Sequence, residues 1–573
     1  MEPFAMQEEI GNPALFVGRV QELDDLCQWA ELSKRQLSRS RAILARRKKG
    51  KTALLQRFYN ILYAKNDPQL VPFYFRIQER DLQAQTFALK FYCSFLGQYL
   101  AFQKRDVKLA DQFLDLETLI QLTADQPAVQ QNIKAMQGIL NNSPALAWEH
   151  ARDAPHRIAS LQNIRIVQLI DEFQYLNRFI YGDLNPDKQE NLCYSYMGTA
   201  ESKVAPMIVT GSYIGWLEAI INHMTNRFEA QYLTSLQDDE ALATVYNYAT
   251  LLEKPITEET APYIAELAHN DPFYISQIIR TRQPGHHITT KAGVRAAIQY
   301  ETTADKGFIA QHWMEYVNLA FDRVNEINAK RLVLFLARHG EQEFSRTQLQ
   351  EQLKLGLSDS QLQERLDKLY MADIIGRGSS FFRYKGLGDP IFAMVFRKAY
   401  GEEIERLAPA KIAAEIDRQM TQTQRQTAWR KGLVGEYMVR YHLMMAAQRG
   451  IALDTLVFNP IVQQPLTRFV SMNKERISTG TESFREVDIY ARAQASESID
   501  LVVEVKNWQQ PPNNTQLQRF IQLKDQLQAK LQKTTGFLLY SEAGFKTDQE
   551  TLMQQHGIMY THAGKLTAYE HPT

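Results

Sequence analysis

Cysteine is scarce in this 573-residue chain: Cys27, Cys93 and Cys193 stand far apart, with no CxxC pair. That excludes a disulfide framework, argues against structural zinc and suits a reducing cytoplasm. Net charge is missing too, with 65 basic residues against 65 acidic ones. Any attraction to a polyanion must therefore come from local patches. No uninterrupted apolar run approaches the roughly 20 residues that span a bilayer. The opening MEPFAMQEEIGNP has no basic segment followed by an apolar core, so no secretory signal is expected. What remains is a cytoplasmic globular protein of about three to four domains, and its 45% apolar and 23% charged residues are ordinary for that class.

What is present centres on RAILARRKKGKTALL at 41–55. An apolar run (Ala42, Ile43, Leu44) leads through a turn to Gly50-Lys51-Thr52 and an apolar helix start (Ala53, Leu54, Leu55). This is the strand–loop–helix pattern of a phosphate-binding loop. Loop N–H groups and the positive helix end would cradle phosphate oxygens. Lys51 would reach the terminal phosphates and the Thr52 hydroxyl would ligate Mg²⁺. Gly50 would let the backbone approach without a Cβ. The first glycine of G-x-x-x-x-G-K-[ST] is replaced by Ala45, which would be strained if the loop needed positive φ there. A basic surface turn, carrying Arg46, Arg47, Lys48 and Lys49, is the alternative.

Downstream, VPFYFR at 71–76 reads as an aromatic strand. Residues 82–151 have few breakers and read as helical, with Phe91, Tyr92, Phe95 and Tyr99 as packing residues. RIVQLIDEFQYL at 165–176 is an apolar strand ending in Asp171-Glu172, about 120 residues after the loop. There the first carboxylate would stand near Mg²⁺ and the second could polarise an attacking water. A third strand, Met207 to Thr210, runs into Gly211-Ser212. Residues 325–405 read as three helices and a strand hairpin through Gly376-Arg377-Gly378, economically a winged helix. Its third helix mixes Asp359, Glu364 and Asp367 with Arg365 and Lys368, so internal packing is expected rather than DNA reading.

The last stretch carries a second constellation. An amphipathic helix at 429–445 bears Glu436, a strand FREVDIYA bears Asp488, and LVVEVKNW bears Glu504 and Lys506 two residues apart. Alternation sends those two side chains to one face while Val503 and Val505 enter the core. The order Glu…Asp…Glu-x-Lys resembles the PD-(D/E)xK nuclease pattern. Carboxylates would hold one or two divalent ions that activate water, and Lys506 could position or deprotonate that water.

Taken together, these segments resemble the archaeal-type STAND ATPases, an AAA+-like P-loop class, with a C-terminal restriction-endonuclease-like domain. The resemblance implies an α/β fold with an ATPase core and helical insertion at 1–235, a helical lid at 236–324, a winged helix at 325–405, a helical connector at 406–426 and a nuclease-like domain at 427–573. FVGRVQELDDL resembles the GRxxEL segment beside adenine, and IVTGS the sensor strand, whose Thr210 or Ser212 would read the γ-phosphate. Asn226-Arg227-Phe228 resembles an arginine placed before the lid, so Arg227 would stabilise transition-state charge, or it is a surface residue. AELAHNDPFYISQ resembles the lid motif GGNPFYL, with His269-Asn270 in place of glycines and Pro272 dividing two helices.

The site implied for ATP comprises Gly50, Lys51, Thr52, Asp171 and Thr210, with Mg²⁺ on Thr52 and Asp171 and with Glu172 and Arg227 catalytic. The second site has Glu436, Asp488 and Glu504 for Mg²⁺ or Mn²⁺, and Asp488, Glu504 and Lys506 for catalysis. The expected activity is an ATP-controlled nuclease on DNA, with RNA left open, no membrane partner and a homo-oligomer compatible with the design. Defence against foreign DNA is family analogy alone. The rival is a regulatory ATPase whose nuclease-like domain does not cut and binds DNA or a partner. Ala45 and the lack of a basic stripe favour that rival.

Overall fold

The computed structural model describes residues 5–182, 189–224, 226–283, 287–321, 327–380, 382–405, 431–467, 469–478, 484–493, 498–506, 511–528, 531 and 534–570. The expected connector at 406–426, the start of the helix expected at 429–445 (residues 429–430) and the stretch 507–510 lie outside them. The chain divides into two compact units: Met1–Leu236, Thr244–Thr260 and Ile264–Ala414 form the first, and Gln237–Ala243, Ala261–Tyr263 and Glu415–Thr573 the second.

The first unit is built on a parallel sheet. After helix α1 (Val20–Lys34) come strand β1 (Ser40–Leu44), helix α2 (Lys51–Lys65) and strand β2 (Leu70–Arg76). Helices α3 (Ala84–Lys104), α4 (Leu116–Leu122), α5 (Pro127–Asn142) and α6 (Ala147–Gln162) follow. Strand β3 (Arg165–Asp171), strand β4 (Met207–Gly211), helix α7 (Ile214–His223) and strand β5 (Phe228–Tyr232) complete the sheet, in the order β2-β3-β4-β1-β5. Every pairing in it is parallel. A parallel sheet is covered on both faces, which is why β1, β3 and β4 are near-continuous apolar runs. Parallel register also collects the strand ends: Leu44 pairs with Gly211, and Arg76 with Asp171. The end of the phosphate-loop strand and the end of the acidic strand therefore lie on one rim, where α/β sheets bind ligands.

The helical stretch behaves as packing. Phe91 and Phe95 of α3 each stand edge-on to Phe73 of β2, with centroids 5.2 Å apart. β2 is an edge strand, and the Gln98 amide of α3 serves it as a partner. Its Nε2 donates to the Tyr74 carbonyl at 2.8 Å, and its Oε1 accepts from the Tyr74 N–H at 2.8 Å. A polar side chain buried in an aromatic layer is thus satisfied by the sheet edge that would otherwise stay open.

Beyond the sheet lie helices α8 (Pro272–Ile279), α9 (Lys291–Thr303) and α10 (Phe308–Phe321). His269 and Asn270 adopt φ 50° and 55°, the conformation that the glycines of the resembled motif would take without strain. Asp271 then caps α8, accepting from the Phe273 N–H at 2.9 Å, and Pro272 opens the helix. Helix α11 (Ile327–His339), strand β6 (Phe344–Ser345), helix α12 (Arg346–Leu353), helix α13 (Asp359–Met371) and strands β7 (Gly376–Arg377) and β8 (Arg383–Lys385) come next, then helix α14 (Pro390–Glu405). The short strands pair antiparallel in the order β6-β8-β7. Reciprocal capping boxes, Ser345 with Gln348 and Ser358 with Gln361, start α12 and α13.

The second unit has helix α15 (Lys431–Gln448), strands β9 (Phe469–Ser478), β10 (Phe484–Ala493) and β11 (Asp500–Lys506), helix α16 (Asn514–Gln528), strand β12 (Thr535–Ser541), helix α17 (Thr547–Gln555) and strand β13 (Met559–Thr561). Its sheet runs β9-β10-β11-β12-β13, antiparallel through β11 and parallel after it. Val503 and Val505 join Val439 and Leu443 of α15 in one core, while Val502 joins Leu517 and Phe520 of α16 in the other. A helix thus covers each face, as the period-two pattern of β11 requires.

Candidate functional site

The loop after β1 turns sharply into α2. Gly50 has φ 88°, and a Cβ there would meet nothing within 4 Å, so backbone conformation rather than crowding calls for glycine. Ala45 is not among the residues with positive φ, so the replacement of the first glycine brings no left-handed strain. Lys48 is the loop residue that takes positive φ instead, at 65°. Lys51 is buried, and its ammonium donates to the Ala45 carbonyl at 2.5 Å and the Arg46 carbonyl at 2.8 Å. Burial pulls its pKa down to about 8, against the opposing pull of Glu172, Asp171 and Asp373.

The acidic pair stands across from it. Thr52 Oγ1 donates to Asp171 Oδ2 at 2.7 Å, and the Tyr74 hydroxyl reaches the same oxygen at 3.3 Å. Thr210 Oγ1 donates to Asp171 Oδ1. Glu172 sits in the left-handed region at φ 59°. It accepts from Gln174 Nε2 at 2.7 Å, from the Ser212 N–H at 3.1 Å and from Ser212 Oγ. Thr210 and Ser212, offered by the sequence as alternative phosphate sensors, hold one carboxylate each. The hydroxyl of Thr52 and the carboxylate of Asp171 are the hard oxygen donors that Mg²⁺ prefers, so this pair fits the ion.

Arg227 is not brought here. It precedes β5, whose register places Phe228 beside Ser40, the first residue of β1, whereas the phosphate loop follows the last. Its Nε donates to the Met197 carbonyl at 2.8 Å. Arg227 therefore lies at the opposite end of the sheet from the phosphate loop.

Further residues join the site. Arg19, buried at φ 59°, donates to the Lys49 carbonyl at 3.2 Å and the Thr234 carbonyl at 2.7 Å. Lys49 pairs with Asp271 at 2.5 Å, joining the loop to the motif that opens α8. Arg46 donates to the Leu387 carbonyl at 2.7 Å. Arg47 pairs with Glu79 at 3.0 Å and lies over the rings of Tyr213 and Tyr316, themselves stacked 5.2 Å apart. Asp373, just past α13, is buried beside Arg46 and Lys51. In the sequence the Arg46–Lys49 run reads only as a basic turn, and Asp373 carries no signal of its own.

In the second unit, Lys506 lies between two acids: its Nζ is 2.7 Å from Glu504 Oε1 and 4.0 Å from Asp488 Oδ2. Asp488 Oδ2 also accepts from the Val505 N–H at 2.8 Å, so a side chain replaces a ladder carbonyl. Glu436 of α15 stands 4.0 Å from the Arg440 guanidinium, which donates to the Asp488 carbonyl at 3.1 Å. Asp488, Glu504 and Lys506 are thus together, and Glu436 is linked to them through Arg440. Among the described residues no three acidic, histidine or cysteine side chains form a metal-holding group. The expected set of Glu436, Asp488 and Glu504 does not form one there: Lys506 stands beside Asp488 and Glu504, and Arg440 beside Glu436.

No helix among the described residues is long and apolar enough to cross a membrane. No family model matches the chain, and no curated protein matches it. Among solved structures, the chain is similar to the Walker-type ATPase PABY2304 of Pyrococcus abyssi, at 16% identity over 67% of this chain and 96% of that one, with TM-score 0.45. It is also similar to the Aeropyrum pernix ORC2 protein (ADPNP-ADP complexes), at 12% identity, 72% and 98% coverage and TM-score 0.38. The Thermotoga maritima RuvB Holliday junction branch migration motor is 14% identical, with 70% and 98% coverage and TM-score 0.31. At such scores the likeness adds nothing to the site, whose reading rests on its own geometry.

Proposed function

We propose that the first unit binds and hydrolyses ATP as a P-loop switch of the AAA+-like, STAND-type design, and that it controls metal-dependent phosphodiester cleavage by the second unit. The observation that carries the first half is the 2.7 Å contact of Thr52 with Asp171, beside buried Lys51 and at the rim of a parallel sheet. Lys51 would bind the terminal phosphates. Thr52 and Asp171 would hold Mg²⁺, which supplies charge neutralisation on the phosphates. Glu172 would orient water once Ser212 and Gln174 release it. The body at 325–405, read as a winged helix, serves as an internal packing module. The test is nucleotide titration and turnover: Lys51→Ala should lose binding, and Glu172→Gln should retain it while losing hydrolysis. Wild-type protein that binds no nucleotide would sink this half.

For the second half, Asp488, Glu504 and Lys506 at one sheet end support a PD-(D/E)xK-type nuclease with DNA as substrate. Asp488 and Glu504 would hold Mg²⁺ or Mn²⁺ after Lys506 swings aside, and Lys506 would then position water. Plasmid incubated with Mg²⁺ or Mn²⁺, with and without ATP, should be cut by wild type and not by Lys506→Ala. One observation favours the second reading, a non-cutting domain that grips DNA or a partner: Lys506 occupies the space between the carboxylates. Intact plasmid under every condition would decide for it.

A further inference from the structure

The phosphate loop carries a cation that neither binding nor hydrolysis, as described above, uses. Lys49 pairs with Asp271 and Arg46 donates to the Leu387 carbonyl, so both hold elements that follow the sheet in the chain. Arg47 instead stands among the neighbours of the acidic pair. Its Nη2 donates to Glu79 Oε2 at 3.0 Å and to the Tyr175 hydroxyl at 3.1 Å, and that hydroxyl reaches the same Glu79 oxygen at 3.3 Å. Tyr175 lies in the short helical turn that Glu172 opens. The guanidinium is 5.5 Å from the centre of the Tyr213 ring, and Tyr213 follows Ser212, whose N–H holds Glu172. Burial first and then Arg47 press the Lys51 pKa down, while burial first and then Glu172 push that of Tyr175 up. The loop lysine, Arg47 and the water-orienting acid thus share one small field.

Two features suit Arg47 to a phosphoryl group. Among the described residues its Nε and Nη1 have no hydrogen-bond partner, so most of the planar fork is open. Its resting partner Glu79 is 38% exposed, and so wet an ion pair is a weak hold. A phosphate group carries more charge and accepts two parallel N–H bonds from the fork. Phosphoryl transfer is accelerated by such a cation, and Arg227 lies at the other end of the sheet. We propose that Arg47 is a catalytic residue of the ATPase site, which leaves Glu79 to bind the terminal phosphoryl group within its own chain. In the step it serves, the water oxygen bonds to the terminal phosphorus as the bond from that phosphorus to the bridging oxygen breaks. The bridging oxygen leaves with the electron pair on the nucleoside diphosphate, and the water proton passes to Glu172. Arg47 neutralises the negative charge on the phosphoryl oxygens in flight. This rests on the reading of the first unit as an ATPase and adds a residue to its chemistry.

The test is steady-state turnover of Mg-ATP by the full chain, with Mg-ADP binding measured with and without aluminium fluoride, which mimics the phosphoryl group in transfer. Arg47→Ala should lower kcat roughly 10³-fold and change KM by less than about threefold. Its Mg-ADP affinity should be unchanged, while the tightening that aluminium fluoride gives wild type should be lost. Arg47→Lys keeps the charge without the fork, should recover less than about a tenth of kcat, and carries the same test where the alanine variant does not fold. Mixing Arg47→Ala with Lys51→Ala protein should restore no turnover, because the arginine serves its own chain. A fall in Mg-ADP affinity alongside kcat marks a structural role and overturns the assignment. So does unchanged kcat, retained tightening by aluminium fluoride, or restoration on mixing, and in each case the ATPase reading stands. Wild type that does not turn over ATP overturns both.

Discussion

The phosphate-loop rim and the acidic end of the second sheet use the same residue types, two carboxylates and a lysine, yet they are built differently. At the rim the hydrogen bonds to each carboxylate come from neutral donors, Thr52, Thr210 and Tyr74 for Asp171 and Ser212 and Gln174 for Glu172, with the Arg76 guanidinium 3.9 Å from Asp171. The lysine there is turned onto loop carbonyls. In the second unit the lysine itself neutralises the acids, and all three side chains are about one-fifth exposed. Hydroxyl and amide donors hold a carboxylate in place while leaving it anionic for a cation. A lysine partner cancels the charge and competes with the ion. The first arrangement is already set, whereas in the second the proposed metal would enter only after one side chain had moved.

Four measurements would break or sharpen this contrast. The largest effect belongs to Glu172→Gln, which should lower ATP turnover by about 10²–10⁴-fold with binding kept. Unchanged turnover would remove Glu172 from the chemistry. Next, Lys506→Ala should abolish plasmid cleavage, a fall of at least about 10²-fold, yet free Asp488 and Glu504 to bind Mn²⁺ more tightly in calorimetric titration. Weaker Mn²⁺ binding would show that the lysine does not compete. Third, Thr210→Val should cost about 1–3 kcal/mol in denaturant unfolding, because a buried carboxylate oxygen loses a donor. The smallest effect is that of Arg227→Ala, which should change nucleotide affinity by less than about threefold and stability within about 0.5 kcal/mol. A large loss of affinity would mean that the arginine acts on another copy of the chain.

A pH scan without nucleotide bears on the same rim. The Lys51 ammonium has its pKa lowered to about 8 by burial, so the unfolded chain holds more protons between that value and the ordinary lysine range. Stability from this group should therefore rise as pH increases through 8 toward 10. Thermal melts of Lys51→Met should lack that rise.

Sequence alone determined the strand–loop–helix around Gly50, Lys51 and Thr52, the acidic strand end at Asp171, and the shared face of Glu504 and Lys506. Each depends on residues close in the chain, where apolar period and glycine placement decide the backbone. It did not determine that Ala45 would escape strain, because Lys48 took the positive φ instead. Nor did it reveal which carboxylate Thr210 and Ser212 serve, that Arg227 precedes its strand at the far end of the sheet, or that Asp373 would be buried. Those outcomes depend on parallel register and on contacts between residues tens to hundreds of positions apart. Only tertiary packing decides such contacts, since the distance along the chain carries no record of the distance across the fold.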